Sequence, residues 1–581
     1  MTSLYFPGGT PVYAKCISAL SSPNLTTDER QDEILQCLGS TLDETMSGVN
    51  TFYLIYAASL VFYMQAGFAM LCAGSVRLKN VQNTMMKNLL DACGASLGYY
   101  SVGFAFAWGS SNLPGQQSTV DSSSTSFIGT TNFFLTETDE KAFFLFQYAF
   151  AATSATVVVG TLAERCQMVA YLCYSVFLTS FVYPVVVRSI WNTEGFLSSH
   201  NDDNSISDVG VGVIDFSGGL VVHVTGGLTA LIAAYILGPR KGRFVEVDGK
   251  WKCRDFPGHS VALKVLGTLI LWFGWYGFST GSTYFITTTR KAFLAQNAAV
   301  NTTLAAAGGT MTSLLVNAWL VERHTGETEF NLSDALFGCL SGLVSITNGC
   351  AYVDSWAAFI IGMVSGIIYL GGTKLLVKAR IDDAVDAIPT HMFCGLWGTV
   401  AVGLFAVPDY LRMTHEDIEY GGWFYNVDNG RLLGCQMIGI LFVVGWVSAF
   451  MLPFFGLLHY LGWLRADRLE EIVGLDISYH GGISGRTQSD DNDDDASRQE
   501  HLDAYFERKR LRRESSRNNL RRRVIDRLTD SLHRQDVSMI PSESNENINN
   551  TPAASEEVGR DSVISSEDTW QSNADVGGNH P

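Results

Sequence analysis

From residue 52 onward, apolar stretches of roughly 20 residues alternate with short polar connections, and that length matches about 30 Å of bilayer hydrocarbon. The stretches fall near 52–74, 89–109, 143–163, 168–188, 216–238, 261–281, 298–321, 332–349, 355–377, 390–407 and 433–462. Their length and continuity favour helices, so the pattern predicts an all-α polytopic membrane protein with 11 transmembrane helices. An odd number of spans puts the two ends on opposite sides. Arg77, Lys79, Lys87, Arg165, Arg240, Lys241, Arg243, Arg323, Lys374 and Arg380 fall on one side, against Lys141, Arg188, Arg290, Lys291, Arg412 and Arg431 on the other. Positive charge gathers in the cytoplasm, which predicts an extracellular N-terminus and a cytoplasmic C-terminus.

Hydrophobicity collapses after residue 464. The expected organisation is an extracellular N-terminal segment over 1–50, an eleven-helix domain over 51–464, a cytosolic motif over 465–488 and a disordered cytosolic tail over 489–581. Within the tail an acidic run over 490–495 precedes a basic stretch over 508–523. The pattern over 506–532 fits either an amphipathic helix on the anionic inner leaflet or a solvated linker, and the linker is the plainer reading.

Composition agrees with a lipid environment: 47% of residues are hydrophobic, 12% aromatic and only 17% charged. The formal charge of −18 resides mainly in the ends and one loop, so it identifies no partner and gives no sign of nucleic-acid binding. Tyr5, Pro7, Gly8 and Lys15 interrupt any signal-peptide core, so insertion is expected to begin with the first span. Asn24 opens an Asn-Leu-Thr glycosylation acceptor on the outer side. Cys16 and Cys37 stand in the same polar segment, where a disulfide within one subunit or between two is open to them. Most other cysteines lie in apolar helices, and none has a metal-ligand spacing.

Ionisable residues inside spans are expensive and are candidate functional sites. His223 lies in the fifth span, after Asp215-Phe-Ser-Gly-Gly-Leu-Val-Val, and His391 lies in the tenth, after Ile388-Pro-Thr. Acids precede both, at Asp215 and Asp386. Two histidines five spans apart predict an inverted five-plus-five helix repeat that brings both rings to the bilayer midplane. Gly218, Gly219, Gly226 and Gly227 would allow the close helix approach that seals a narrow lumen. Asp215 can be a substrate ligand or a helix N-cap, and the cap is favoured.

Several longer motifs accompany these residues: Tyr63-Met-Gln-Ala-Gly-Phe-Ala-Met-Leu-Cys-Ala-Gly, Asn80-Val-Gln-Asn-Thr-Met-Met-Lys-Asn, Gly160-Thr-Leu-Ala-Glu-Arg, the segment 215–240, and Trp272-Phe-Gly-Trp-Tyr-Gly-Phe. With the His391 segment they run in order from residue 52 to about 485, and together they resemble the ammonium transporter superfamily (Amt/Mep/Rh). The resemblance is to the Amt branch, with plant-type ammonium transporters. It implies a plasma-membrane homotrimer with one pore per subunit, nitrogen uptake as ammonium or ammonia, methylammonium as an analogue, and no cofactor, metal or enzymatic activity.

Carried onto this chain, the resemblance implies substrate recruitment by Trp191, Ser282, Phe146, Gln147 and Asp215. It implies a gate of Phe150 and Phe278, and pore histidines at His223 and His391. Aromatic faces attract cations, and a hydroxyl accepts one of ammonium's four N–H bonds, which potassium cannot offer. Ser279 and Asn348 depart from the residues usual in such proteins. Gly474-Leu-Asp-Ile-Ser-Tyr-His-Gly-Gly resembles a tail motif that couples neighbouring subunits, with Ser478 as the phosphosite for a kinase. A receptor that senses ammonium is the alternative from another class, and the long tail is the feature favouring it. A membrane enzyme lacks a third metal ligand or an HExxH pair. The Trp191 and Asp215 motifs disfavour a Rhesus-type gas channel.

Overall fold

The computed structural model describes residues 16, 27–111, 125–201, 206, 211–415, 418–427, 429–481, 500–512 and 514–515. Eleven longer helices organise the chain: α1 (Thr27–Ser75), α2 (Val81–Gly98), α3 (Lys141–Thr161), α4 (Met168–Trp191), α5 (Gly219–Leu237), α6 (Val261–Gly281), α7 (Thr289–Thr325), α8 (Leu332–Thr347), α9 (Ser355–Lys378), α10 (Ile388–Phe405) and α11 (Arg431–Tyr460). Among the described residues nine of these are long and apolar enough to span a bilayer. The other two are α2, which carries Lys87 and Asp91, and α8, which has only 16 residues. A small hairpin of β1 (Phe244–Val247) and β2 (Lys250–Cys253) joins α5 to α6.

The chain is therefore a multi-pass helical membrane protein. Large apolar side chains such as Leu97, Leu269, Phe273 and Leu441 remain exposed on the helix exteriors, a distribution suited to lipid rather than water. Lipid leaves no hydrophobic drive between helices, so they adhere through close contact at small residues. A methyl group at Gly267 of α6 would run into the backbone of Leu71 on α1.

Two expected boundaries move. The first span was expected to begin near residue 52, whereas α1 starts at Thr27 and has 49 residues. At 1.5 Å per residue it is about 74 Å long, more than twice the hydrocarbon thickness, so its first half is polar and extends the span. The second span was expected from residue 89, yet α2 starts at Val81 and continues through a wide turn, Tyr99–Gly103, to Trp108. Asn83, Thr84, Lys87 and Asn88 depress hydropathy over its first turns although all four are buried. Residue 16 and α1 are linked by a Cys16–Cys37 disulfide within one chain, with Cα atoms 5.7 Å apart.

The connections on the tail side are tied by ion pairs. Glu164 meets both Arg77 and Arg240, and Asp382 meets Arg240 and Arg165. Burial opposes ionisation of Glu164, but Arg240 and Arg77 bring its carboxyl down to about 2. Two short helices follow α11: α12 (Arg468–Val473), closed by an Asp467/Glu470 capping box, and α13 (Leu475–His480). Asp476 accepts from the backbone N–H groups of Gln82 and Asn83 at 3.0 and 2.7 Å, so the tail caps α2 of the same chain. Compact packing divides the chain at residue 506. Of the expected segment over 506–532 only residues 506–512 and 514–515 are described, all of them helical, whereas Asn24 and the acidic run over 490–495 lie outside the described residues.

Candidate functional site

Asp215 sets the start of α5. Its Oδ1 accepts from the backbone N–H groups of Gly218 and Gly219 at 3.0 and 2.9 Å, and its Oδ2 from those of Leu220 and Val221 at 2.9 and 2.8 Å. One carboxylate thus satisfies four donors that a helix start leaves unpaired. Gly218 adopts φ +98°, and the Trp191 ring occupies the space beside it where a side chain would stand. Trp191 is held by donation from Nε1 to the Asp215 carbonyl at 2.6 Å. Asp215 therefore fixes both the helix and, through its backbone, the tryptophan.

The first turns of α5 and α10, Gly219–Val224 and Ile388–Phe393, are π-helical. Such wide turns recur at functional positions because they redirect side chains from the regular helical spacing. Here they contain His223 and His391, whose Nδ1 atoms lie 3.2 Å apart with ring centroids at 5.1 Å. Gly227 permits the approach: a side chain there would strike the backbone of Met392, next to His391. A bond between two Nδ1 atoms needs one donor and one acceptor, so the neutral pair holds one proton between those nitrogens. His223 Nε2 is buried without a hydrogen-bond partner among the described residues.

Aromatic rings continue the line from the histidines. Phe278 stands 5.5 Å from His223 and stacks on Phe150 at 4.0 Å and 9°. Phe150 in turn meets Trp191 at 5.9 Å and Phe146 at 4.6 Å. Ser282 donates to the Phe278 carbonyl, and Gln147 donates to the Tyr284 hydroxyl at 3.3 Å. Beyond His391 a narrow apolar cavity is lined by Phe68, Leu71, Cys72, Thr156, Val157 and Thr390, among others. The result is a file of apolar and aromatic surfaces with one histidine pair in it.

The structure thus brings together Trp191, Phe146, Phe150, Phe278, His223 and His391, with Asp215, Ser282 and Gln147 beside them. Ser478 is remote from this file, on α13, where its hydroxyl bonds the Gly474 carbonyl. Ser279 and Asn348 belong to the wall. Ser279 accepts from Thr302 of α7 at 2.8 Å, whereas Asn348 donates to Thr399 and wedges its Oδ1 against Gly219 and Gly398. Sequence reasoning missed Trp275 as a separate participant. Its indole stacks on His223 at 5.1 Å and 13°, and its N–H is anchored on Thr347. Its presence in the Trp272-Phe-Gly-Trp motif was the available signal.

Among the described residues no cluster of three or more metal-ligating side chains occurs. Fold and file together define a polytopic helical membrane protein with a buried aromatic file that ends in paired histidines. The profile of the Ammonium Transporter Family matches residues 51–484, and the chain belongs to that family. It is 40% identical over 458 residues to ammonium transporter 1 member 3 of Solanum lycopersicum, covering 75% of this chain and 93% of that one. It is 37% identical to ammonium transporter 3 of Dictyostelium discoideum, covering 75% of this chain and 93% of that protein. Among solved structures, a sensor Amt protein superposes with a TM-score of 0.63 at 29% identity, covering 75% of this chain and all of the other. Candida albicans Mep2 superposes with a TM-score of 0.61 at 28% identity, covering 74% of this chain and 88% of the other. The family relatives are transporters rather than enzymes.

Proposed function

We propose that the chain transports ammonium across the plasma membrane through the passage that contains His223 and His391. The observation that carries this is the continuous file from Trp191 through Phe150, Phe278 and His223 to His391, with adjacent ring centroids 5.9, 4.0, 5.5 and 5.1 Å apart. Relatives named ammonium transporters support the substrate.

Trp191, Phe146, Gln147 and Ser282 form the recruiting vestibule, with Asp215 ordering its base. Phe150 and Phe278 lie in stacking contact, so an arriving ion must part them, which makes the pair a gate. Carrying a bare ion into the apolar passage would cost tens of kcal/mol by Born solvation. Loss of one proton removes most of that barrier, and ammonia then passes while hydrogen-bonding the two imidazoles.

In the cell the eleven helices span the plasma membrane as an inverted five-plus-five repeat, N-terminus outside, in a homotrimer with one pore per subunit. The matching π-helical starts of α5 and α10 support the repeat. The domain is 51–464, preceded by the extracellular segment 1–50 and followed by a regulatory tail over 465–488 and a further tail over 489–581. Asn24 carries glycan, and a kinase acting on Ser478 closes the pores. Isotopic ammonium uptake by cells lacking their own ammonium transport tests the assignment. Saturable uptake competed by methylammonium but not by potassium is expected; binding without uptake would favour a sensor, the role named for one structural relative.

A further inference from the structure

One face of α2 is polar and buried. Asn83, Lys87 and Asp91 follow at intervals of four residues, flanked by Asn80, Thr84 and Asn88 at the same interval, and all are at most 3% exposed. Interior helix faces in lipid do not need such residues for packing, and a buried acid there points to proton or ion handling.

Asp91 is held in an asymmetric setting. Tyr174 of α4 donates its phenol hydrogen to Asp91 Oδ2 at 2.7 Å, while Oδ1 is buried with no hydrogen-bond partner among the described residues. Oδ1 retains lone pairs that a proton can occupy without disturbing the tyrosine bond. Lys87 is one helical turn away. Its Nζ donates to the Cys166 carbonyl at 2.8 Å and lies 4.2 Å over the Tyr171 ring, so it is anchored there rather than on the Asp91 carboxyl. The other titratable groups near Asp91 are Tyr171 and Tyr174 on α4, Cys72 on α1 and Cys166 before α4.

The site adjoins the passage on one side and the tail on the other. Cys72 lines the cavity beyond His391 and is within hydrogen-bonding reach of Asn88, one turn from Asp91. In the other direction Asn88 Oδ1, Asn83 Oδ1 and Asn80 Nδ2 are buried polar atoms likewise unpaired among the described residues. Asn83 Nδ2 meets His480 at 3.2 Å, at the docked tail.

We propose that Asp91 is a proton-binding site beside the passage, loaded from the cavity beyond His391 and emptied toward the tail along the asparagine face of α2. It rests on transport with deprotonation as proposed above. Ammonium gives ammonia and one proton; one imidazole takes up that proton while the other releases one across the Nδ1–Nδ1 bond into the cavity, where the ammonia leaves and the released proton is bound at Asp91 Oδ1. Water hydrogen-bonded by Asn88, Asn83 and Asn80 then carries the proton to the cytosol, restoring the carboxylate.

The test uses full-length protein reconstituted in vesicles, with infrared difference spectra between acidic and neutral buffer, and the charge moved per ammonium taken up. The D91N variant keeps an acceptor for Tyr174 but binds no proton. Loss of a pH-dependent protonated-carboxyl band in D91N, with uptake persisting and the charge per ammonium reduced, is the expected result. An unchanged band, or current and uptake falling in proportion, would overturn the proposal. Where the wild type moves ammonium without current, the band alone decides. If D91N does not fold, Y174F decides: losing the phenol bond should shift the Asp91 band to higher frequency, and an unshifted band overturns the assignment. Failure of the transport assignment itself reads differently, as absence of uptake in the wild type.

Discussion

His223 and His391 meet nitrogen to nitrogen, Nδ1 to Nδ1 at 3.2 Å, although 168 residues separate them in sequence. Each comes from a π-helical first turn of a glycine-containing span, and Gly227 admits the backbone beside His391 to within van der Waals reach of α5. A side chain at Gly227 would part the histidines. The pair is therefore a product of backbone approach as much as of the imidazoles themselves.

Opening the aromatic stack should relax ion selection. Phe278 contacts both Phe150 and His223, so F278A opens a gap between Phe150 and the histidines. Water admitted by the gap lets a cation enter without shedding a proton, and each ~1.4 kcal/mol that potassium regains lowers the preference for ammonium about tenfold. Competition of potassium with isotopic ammonium uptake measures it.

Asp215 should matter first for folding. D215A strips four backbone N–H groups of their acceptor, and loss of an ordinary cap already costs about 1 kcal/mol, with charged acceptors worth more. A lower melting temperature in detergent is expected for D215A, with D215N recovering part of the loss because its amide oxygen still accepts.

Much of this architecture was legible from the chain. Apolar windows located α3 to α11 to within a few residues at most ends, except α7, whose polar ends at Thr289 and Thr325 lay beyond its window. The two histidines stood out because charged or titratable side chains inside spans are rare. What escaped had a common cause: polarity read as exposure. Asn83, Lys87 and Asn88 hid the first turns of α2, although tertiary contacts bury them. Asp28, Glu29 and the other polar residues of α1 hid its extension, because helix beyond the bilayer needs no apolar window. Trp275 was visible as a residue, but its stacking on His223 depends on where α6 crosses α5, which periodicity does not specify.

Acid should loosen the tail-side loops. Arg240 and Arg77 outweigh the burial of Glu164 and hold its carboxyl down at about 2, below the ordinary 4.5. A depressed carboxyl stabilises fully above its unfolded value, and that contribution fades as pH falls from about 4.5 to about 2. Thermal melting of E164Q should therefore depend less on pH across that window than melting of the wild type, while being lower at neutral pH.

Phosphate at Ser478 should displace the tail. The hydroxyl lies on α13, two residues after Asp476, which holds the start of α2, and Tyr505 donates to the Ser478 carbonyl at 3.2 Å. A phosphate adds roughly −1.5 to −2 charge beside that carboxylate. S478D should lower ammonium uptake at equal surface abundance and raise protease access to the tail, while S478A should leave both near wild type.

The most direct measurement is ammonium-evoked current with parallel isotopic uptake in voltage-clamped cells expressing wild type, H223A, H391A and the double variant at equal surface abundance. Saturable wild-type uptake that changes in each single variant, with the double variant no worse than the more impaired single, is expected of two rings acting as one unit. Wild-type and double-variant uptake and current that coincide would contradict passage through the histidine pair.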